Sequence, residues 1–141
     1  MSFTSSLERL LMLRRSLERQ EEMKLALIAA KLQAAAVALR ATQEARSHAS
    51  SGRFSDGARS GSFLQISDLQ YETACARERQ LQTELSALRS AHQEQCAVLL
   101  ERTRERKILE TLRERQLAAQ RREQLRRMQA SLDELFLLRP R

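Results

Sequence analysis

The chain of 141 residues contains almost none of the residues that break helices or fill thick cores. It has one proline, three glycines, four phenylalanines, one tyrosine and no tryptophan, so aromatic residues make up only 4% of it. Leu, Ala, Arg, Glu and Gln are abundant instead, and all five favour helices. This composition is typical of coiled coils and long helices. We therefore predict one all-α coiled-coil domain over residues 1–141, held together by a thin apolar seam.

Cysteine is also scarce, since Cys75 and Cys96 are the only two. On one continuous helix they would lie about 31 Å apart, far beyond the roughly 7 Å between Cα atoms that a disulfide allows. The sequence also begins without a signal-peptide pattern, which favours a reducing compartment. No stretch approaches the ~20 consecutive apolar residues of a membrane span.

The sequence contains no pattern that supports catalysis or cofactor binding. The formal net charge is +7, but charges of both signs are interleaved, as in "ERTRERK", which is typical of a solvated helix face. The glycines do not match a phosphate-binding loop, and no Cys/His/Asp cluster accompanies His92, which we interpret as part of a polar seam rather than a metal ligand. A protein of two helices also lacks a concave, water-excluding pocket. We expect no enzyme activity, cofactor, metal or small-molecule substrate.

The helix-breaking residues are concentrated at two places. All three glycines lie in "SHASSGRFSDGARSGS", and the only proline, Pro140, precedes the last residue. This distribution predicts two uninterrupted helices joined by a polar loop, and a short loop makes the helices antiparallel neighbours. Ser5 and Glu8 form a capping box that would start the first helix. The predicted elements are helix 1 over about residues 5–46, a Gly/Ser loop over about 47–62 and helix 2 over about 63–138.

Leucines at helical spacing define the predicted seam between the helices. In an antiparallel pair the numbers of facing residues have a constant sum, and the position of the loop predicts a sum near 113. This alignment places Ile28 beside Leu85. Further from the loop the seam becomes polar, because Glu18 would lie beside Gln95. The seam residues that support this alignment are Leu25, Ile28 and Leu32 on helix 1 and Leu81, Leu85 and Leu88 on helix 2.

Helix 2 is predicted to extend beyond helix 1. On the predicted alignment residue 4 faces residue 109, so residues 110–138 have no partner within the chain. This segment contains "LRERQLAAQRREQLRRMQASLDE", which combines an apolar side with an arginine-rich side. A lone helix of this length is marginal in water unless its apolar side is covered. It therefore either self-associates or docks onto another protein. Binding to DNA as a basic zipper is disfavoured, because only about two apolar turns follow the basic residues.

The order of these segments resembles a known family. "SLERLLMLRRSLE" precedes an Ala-rich helix and a polar hairpin, and "LETLRERQLAAQRREQLRRMQASLDELFLLR" follows. The chain resembles the flagellar export chaperone FliJ and the similar stalk proteins of type III secretion injectisomes, in layout throughout and most specifically over about Ile108 to Glu134. The resemblance implies a cytoplasmic antiparallel two-helix coiled coil, similar to the central stalk of rotary ATPases and peripheral to the inner-membrane export apparatus. It leaves open whether the system is flagellar or an injectisome.

The resemblance also implies partners and binding residues. The end that carries the termini would enter the hexameric export ATPase, and the hairpin end would reach the export gate membrane protein, with cargo chaperones as further candidates. The implied ATPase-binding residues are Leu109, Leu112, Arg113, Arg115, Gln116, Leu132, Asp133 and Glu134. The residues near the implied gate-facing patch are Leu69, Tyr71, Thr73 and Ala76. The chain departs from the family before the loop, where Leu39, Thr42 and Ala45 stand in place of frequent aromatic residues. The alternative is a self-associating structural coiled coil without a transport role.

Overall fold

The computed structural model describes residues 3–54 and 61–139. Nearly all of these residues lie in two α-helices, α1 (Phe3–Phe54) and α2 (Gly61–Leu137), and no strand occurs among them. Arg14, early in α1, pairs with Glu105, which lies late in α2. Arg46, near the end of α1, pairs with Glu78, which lies early in α2. The prediction of an all-α, antiparallel helical hairpin is confirmed.

The helices extend further into the predicted loop than the sequence suggested. α1 continues from its predicted end near residue 46 to Phe54, and α2 begins at Gly61 rather than near residue 63. Serine and glycine weaken helices by up to about 1 kcal/mol per residue without forbidding them, so a Ser/Gly-rich stretch can remain helical. The rest of the predicted loop, residues 55–60, lies outside the described part of the chain.

The outer ends of the helices also differ slightly from the prediction. α1 begins at Phe3, so Ser5 lies inside the first turn instead of capping it. At the other end, α2 stops at Leu137, and the Leu138 N–H still donates to the Glu134 carbonyl at 3.0 Å. The nearby proline, Pro140, accounts for this stop because proline disfavours helical backbone in the residue before it.

Contacts divide the chain into two compact units, each of which combines a segment of α1 with a segment of α2. We call Met1–Gln20 with Leu99–Arg141 the terminal unit and Glu21–Val98 the hairpin unit. The two units are built differently. The hairpin unit contains the buried apolar residues Ala35, Leu81 and Leu85, whereas ion pairs cross the seam of the terminal unit at several points.

The core of the hairpin unit is thin. Ala35, Leu81 and Leu85 are buried, and Leu81 is among the most completely buried side chains, with 2% exposed. Four further residues of the seam are half-buried, namely Leu25, Ile28, Leu32 and Leu39. These side chains form a single line of contact between two helices, which leaves the outer faces of both helices in water.

Two buried glutamates interrupt this apolar line. Glu78 accepts hydrogen bonds from Arg46 at 2.6 Å and from the Gln43 amide at 3.5 Å. Glu21 accepts a hydrogen bond from the Gln95 amide at 2.5 Å. Each bond joins α1 to α2, so each fixes how far one helix is displaced along the other.

These bonds correct the predicted register. The numbers of Gln43 and Glu78 add to 121 and those of Glu21 and Gln95 to 116, whereas the sequence suggested a sum near 113. Near Glu78 the difference is about eight residues, or about two helical turns, so Leu85 lies level with about Ala35 instead of Ile28. A leucine pattern looks nearly the same after a shift of one heptad. Apolar spacing therefore could not separate the two alignments, and the polar pairs decide between them.

The seam of the terminal unit is polar, as predicted, but with different pairs. Leu7 and Leu11 are its buried apolar side chains within the described range. Glu18, predicted beside Gln95, instead accepts hydrogen bonds from the Arg106 guanidinium and from the Thr103 hydroxyl, the latter at 3.0 Å. Other ion pairs across this seam join Arg14 to Glu105 at 2.6 Å, Arg15 to Glu110 at 3.2 Å and Glu8 to Arg113 at 2.5 Å.

The register of the terminal unit determines where α2 becomes uncovered. Because Glu8 lies opposite Arg113, the first residues of α1 reach to about residue 117 of α2, and not to residue 109 as predicted. From Ala118 to Leu137 every residue is exposed except Glu123, which is half-buried. We call Ala118–Leu137 the overhang; at about 1.5 Å per residue it is roughly 30 Å long.

One helix meets a composition test for a membrane span. Between Ser5 and Ser51, α1 contains an 18-residue window of mean hydropathy 1.4, which is long and apolar enough to cross a membrane by length and composition alone. The sequence contains no run of ~20 consecutive apolar residues, but the mean hydropathy of this window is high enough for a membrane span. The expectation that no stretch approaches a span is therefore wrong by this measure. A single such helix is weak evidence, because core helices of soluble proteins pass the same test.

The thin core predicts a strong contrast between two leucines of the hairpin unit. Leu81→Ala removes a side chain that is 2% exposed, so we expect it to lower the free energy of unfolding by about 2–4 kcal/mol. Leu27→Ala makes the same chemical change at a side chain that is 64% exposed, so it should cost less than about 0.5 kcal/mol. Urea unfolding followed by circular dichroism measures both. Equal losses would show that the seam does not run through Leu81.

Candidate partner-binding surfaces

The overhang presents an apolar stripe that α1 does not reach. Leu125, Met128, Leu132 and Leu135 recur at intervals of three and four residues, which places them on one face of α2. Each of them is between 59% and 66% exposed. An exposed apolar stripe of this kind is a candidate interaction site. The stripe was visible in the sequence, but its full exposure depends on the register of the terminal unit.

Four arginines lie beside this stripe in two different electrostatic situations. Arg126 and Arg127 pair with Glu123 at 2.8 and 3.3 Å, and the Arg126 guanidinium, with a smaller contribution from Arg127, lowers the pKa of that carboxyl below its ordinary value. Arg121 and Arg122 make no ion pair with any described residue. These two are therefore the arginines that can meet an acidic partner without first losing an intrahelical pair.

The residues implied for ATPase binding fall into three environments. Leu109, Arg113 and Gln116 are half-buried in the terminal unit, and Arg113 is paired with Glu8. Leu112 and Arg115 are exposed and line a shallow depression with Ile108. The last group lies fully exposed on the overhang and consists of Leu132, Asp133 and Glu134. The structure thus brings only this last group together with the overhang stripe, while Arg113 joins the two helices.

An open groove of about 820 Å³ lies in the hairpin unit, between the end of α1 and the start of α2. Leu69 and Thr73, two of the residues implied for gate binding, line the groove, whereas Tyr71 and Ala76 are not among its lining residues. Leu69 is 65% exposed, and the Thr73 hydroxyl donates to the Leu69 carbonyl at 2.7 Å. The wall formed by α1 consists mainly of small side chains, with Ala41, Thr42, Ala45, His48 and Ala49.

These small side chains explain how the groove arises. Alanine has no atoms beyond Cβ, so a row of alanines at the end of α1 leaves space opposite Leu69. The departure from the family pattern noted in the sequence, Thr42 and Ala45 in place of aromatic residues, falls in this row. Larger side chains in this row would fill the groove, so the small ones keep it open.

The electrostatics of the terminal unit hold its seam together. Glu18 is buried, with 8% of its surface exposed. Burial raises the pKa of its carboxyl, but a hydrogen bond from Arg106 has the larger effect and lowers the pKa below its ordinary value. Arg106 also donates to Glu110 at 2.8 Å, and together with Arg15 it lowers the pKa of that carboxyl. Glu18 and Glu110 in turn raise the pKa of the Arg106 guanidinium. One arginine thus joins two glutamates from opposite helices.

Within residues 3–54 and 61–139, no group of three or more His, Cys, Asp or Glu side chains could hold a metal ion. Both cysteines are free thiols, with Cys75 half-buried and Cys96 exposed. The arrangement is suited to binding other macromolecules along helix faces.

Comparison with known protein families relates nearly the whole chain to one family. A family model described as flagellar FliJ protein matches residues 3–141. The match includes all of the described residues, and therefore both the overhang and the groove. No curated protein and no solved structure matches the chain significantly.

The seam of the terminal unit makes a testable contribution to stability. The pKa of Glu18 is lowered in the folded chain. The ionised carboxylate therefore contributes its full stabilisation above the unfolded pKa of about 4.3, and this stabilisation is lost as the pH falls through the folded pKa. We expect Glu18→Gln to lower the free energy of unfolding by about 1–3 kcal/mol at neutral pH, as for a charge-assisted hydrogen bond. The difference from the unchanged chain should shrink in acid below about pH 4.

Glu114→Gln is the matched control, because Glu114 is exposed in the same unit. It should leave stability unchanged at both pH values. Urea unfolding of the three proteins at neutral and acidic pH decides the matter. A Glu18→Gln effect that is equally large in acid would mean that the carboxylate charge does not stabilise the seam.

Proposed function

Because the chain belongs to the flagellar FliJ family, we propose that it is a stalk-like component of the flagellar export ATPase complex. Membership in this family indicates a non-enzymatic role in flagellar protein export. In this proposal the overhang enters the hexameric export ATPase, and the hairpin end contacts the export gate membrane protein. The protein would act in the cytoplasm, peripheral to the inner-membrane export apparatus.

The exposure of the overhang is the observation that carries this proposal. A single helix whose apolar side meets water is marginal on its own and gains stability when another surface covers it. The stripe of Leu125, Met128, Leu132 and Leu135 lies on one side of α2, so a single surface would cover it. The end of α2 is apolar on more than one side. Phe136, Leu137 and Leu138 are 74%, 82% and 79% exposed and follow one another in the sequence. Consecutive residues point to different sides of a helix, so a surrounding pore suits this end better than a flat surface.

The charge of the overhang supports an acidic partner. Arg121 and Arg122 are exposed and make no ion pair with any other described residue. Complementary charge accelerates association and makes binding dependent on ionic strength. The same arginines would lie close to one another if two overhangs paired side by side, and this repulsion disfavours self-association.

The groove supports a second contact, made by the hairpin unit. Its lining is mainly apolar, it is open to solvent, and Leu69 stands exposed at its edge. A groove of this kind suits an apolar side chain or a short helix of a partner. We therefore propose that the export gate occupies it, and that Leu69 and Thr73 take part in the contact, with Tyr71 and Ala76 beside it.

A second candidate function rests on the same exposed stripe. If the overhangs of several chains covered one another, the protein would be a self-associating structural coiled coil without a transport role. Analytical ultracentrifugation of the isolated protein separates the two functions. A stalk remains monomeric until its ATPase is present, whereas a structural coiled coil forms oligomers alone.

Two pairs of substitutions test the proposal by separating the two ends. Leu125→Gln with Leu132→Gln removes apolar contacts of the overhang and should abolish binding to the purified export ATPase while leaving gate binding intact. Ala45→Glu with Leu69→Gln fills the groove with polar groups and should have the opposite effect. All four residues are exposed, so the fold should survive. Pull-down and surface plasmon resonance with each purified partner measure the outcome.

Charge reversal provides a kinetic test with a matched control. Arg121→Glu with Arg122→Glu should slow association with the ATPase more than it speeds dissociation, and the effect should fade at high salt. Arg79→Glu with Arg89→Glu makes the same change at exposed positions of α2 in the hairpin unit and should have little effect. Undiminished ATPase binding by the overhang variants would contradict the proposal. Loss of binding to both the ATPase and the gate, caused by either the overhang pair or the groove pair of substitutions, would also contradict it.

A further inference from the structure

A second apolar stripe runs along α1 in the hairpin unit, on the side that faces away from the seam. Its six members are exposed, and we call them the outer stripe: Met23, Leu27, Ala30, Ala34, Val37 and Ala41. Ala41, the last member, also lines the groove, so the stripe meets the groove at that end. They recur at alternating intervals of four and three residues, which places them on one helix face. The largest of them are well exposed, with 69% for Met23, 64% for Leu27 and 54% for Val37.

The outer stripe is not needed for the hairpin itself. The seam residues Leu25, Leu32 and Leu39 each follow a stripe residue by two positions, about 200° around the helix at about 100° per residue, so they lie on the opposite side. α2 covers that opposite side. The next positions in the stripe pattern are polar, with Gln20 before it and Glu44 after it. The stripe is therefore a bounded surface of about 27 Å.

The charges beside the outer stripe have one sign. When the stripe residues are taken as positions a and d of a heptad, the bordering positions e and g are Lys24, Ala26, Lys31, Gln33, Ala38 and Arg40. Lys24 lies 3.4 Å from Glu21, its neighbour on the helix, while Lys31 and Arg40 are exposed and make no ion pair with another described residue. No acidic residue occupies a bordering position. A partner that pairs with this border must therefore supply acidic residues.

We propose that the outer stripe binds an amphipathic helix of another protein, with apolar residues packed on the stripe and glutamate or aspartate along its edges. The alternating spacing matches the way in which helices pack side by side. Ala30, Ala34 and Ala41 allow the helix axes to approach closely, because interaxial distance depends on the side chains at the contact. The proposal goes beyond the stalk function, because it requires neither the overhang nor an occupied groove.

Two other occupants fit the stripe less well. A second copy of this chain would bring a border of the same positive sign against Lys24, Lys31 and Arg40, which disfavours pairing. A membrane surface would be attracted by these cations, but helices that lie in membrane interfaces typically insert Trp, Phe or Leu. Half of the outer stripe is alanine and none of it is aromatic.

A pair of synthetic peptides tests the proposal. Both have three heptads with the same leucines facing the stripe, and one carries glutamate along its edges where the other carries lysine. The chain used for the measurement carries Leu125→Gln with Leu132→Gln, so that the overhang does not compete for the peptide. Fluorescence anisotropy should show that the glutamate peptide binds at least about tenfold more tightly than the lysine peptide. Added Leu27→Gln and Val37→Gln should weaken that binding by about tenfold or more.

Matched controls locate the binding and identify the other occupants. Val98→Gln with Leu100→Gln changes exposed apolar residues of α2 that lie outside the stripe and should leave peptide binding unchanged. Equal affinity for the two peptides would overturn the proposal, and so would glutamate-peptide binding that ignores the stripe substitutions. Sedimentation with vesicles that contain phosphatidylserine, and ultracentrifugation of the chain alone, complete the test. Stripe-dependent binding to vesicles without peptide binding, or a stripe-dependent dimer, would assign the surface to a membrane or to a second copy instead.

Discussion

The structure depends on glutamates that are buried between two helices. Glu18 in the terminal unit and Glu21 and Glu78 in the hairpin unit are each 8% exposed or less. A buried carboxylate without a partner costs several kcal/mol, so each must meet a donor on the opposite helix, and each does. An apolar seam tolerates a shift of one heptad, but these pairs do not. The polar residues of the seam therefore fix the register that its leucines leave open.

That register determines which side chains remain available for partners. In the terminal unit it directs Arg14, Arg106 and Arg113 to glutamates across the seam, and it ends the cover of α1 near residue 117. The arginines beyond that point have no opposite helix, and Arg121 and Arg122 make no ion pair with any described residue. One residue type thus has two roles, since arginine stabilises the hairpin in one segment and is available to other molecules in the next.

Much of the fold could be predicted from the sequence, because helix-forming residues and the positions of glycine and proline depend on local chemistry. The register could not, since Leu81 and Leu85 fit more than one alignment with α1. The groove beside Leu69 was missed for the same reason, as the effect of Ala45 depends on what lies opposite. α1 also carries two apolar stripes, and only α2 decides that Leu32 is covered while Leu27 is not. Among the implied ATPase-binding residues, the motif could not distinguish Arg113, which pairs across the seam, from Leu132, which is exposed.

Hydrogen exchange of this chain, alone and with the purified export ATPase hexamer, tests whether the ATPase covers the overhang. We predict that amides of the overhang, Ala118–Leu137, exchange rapidly in the isolated chain and become protected when the hexamer is added. Amides of the seam around Leu81 should be protected in both states. Overhang amides that are already protected in the isolated chain, or that remain unprotected with the hexamer bound, would contradict this prediction.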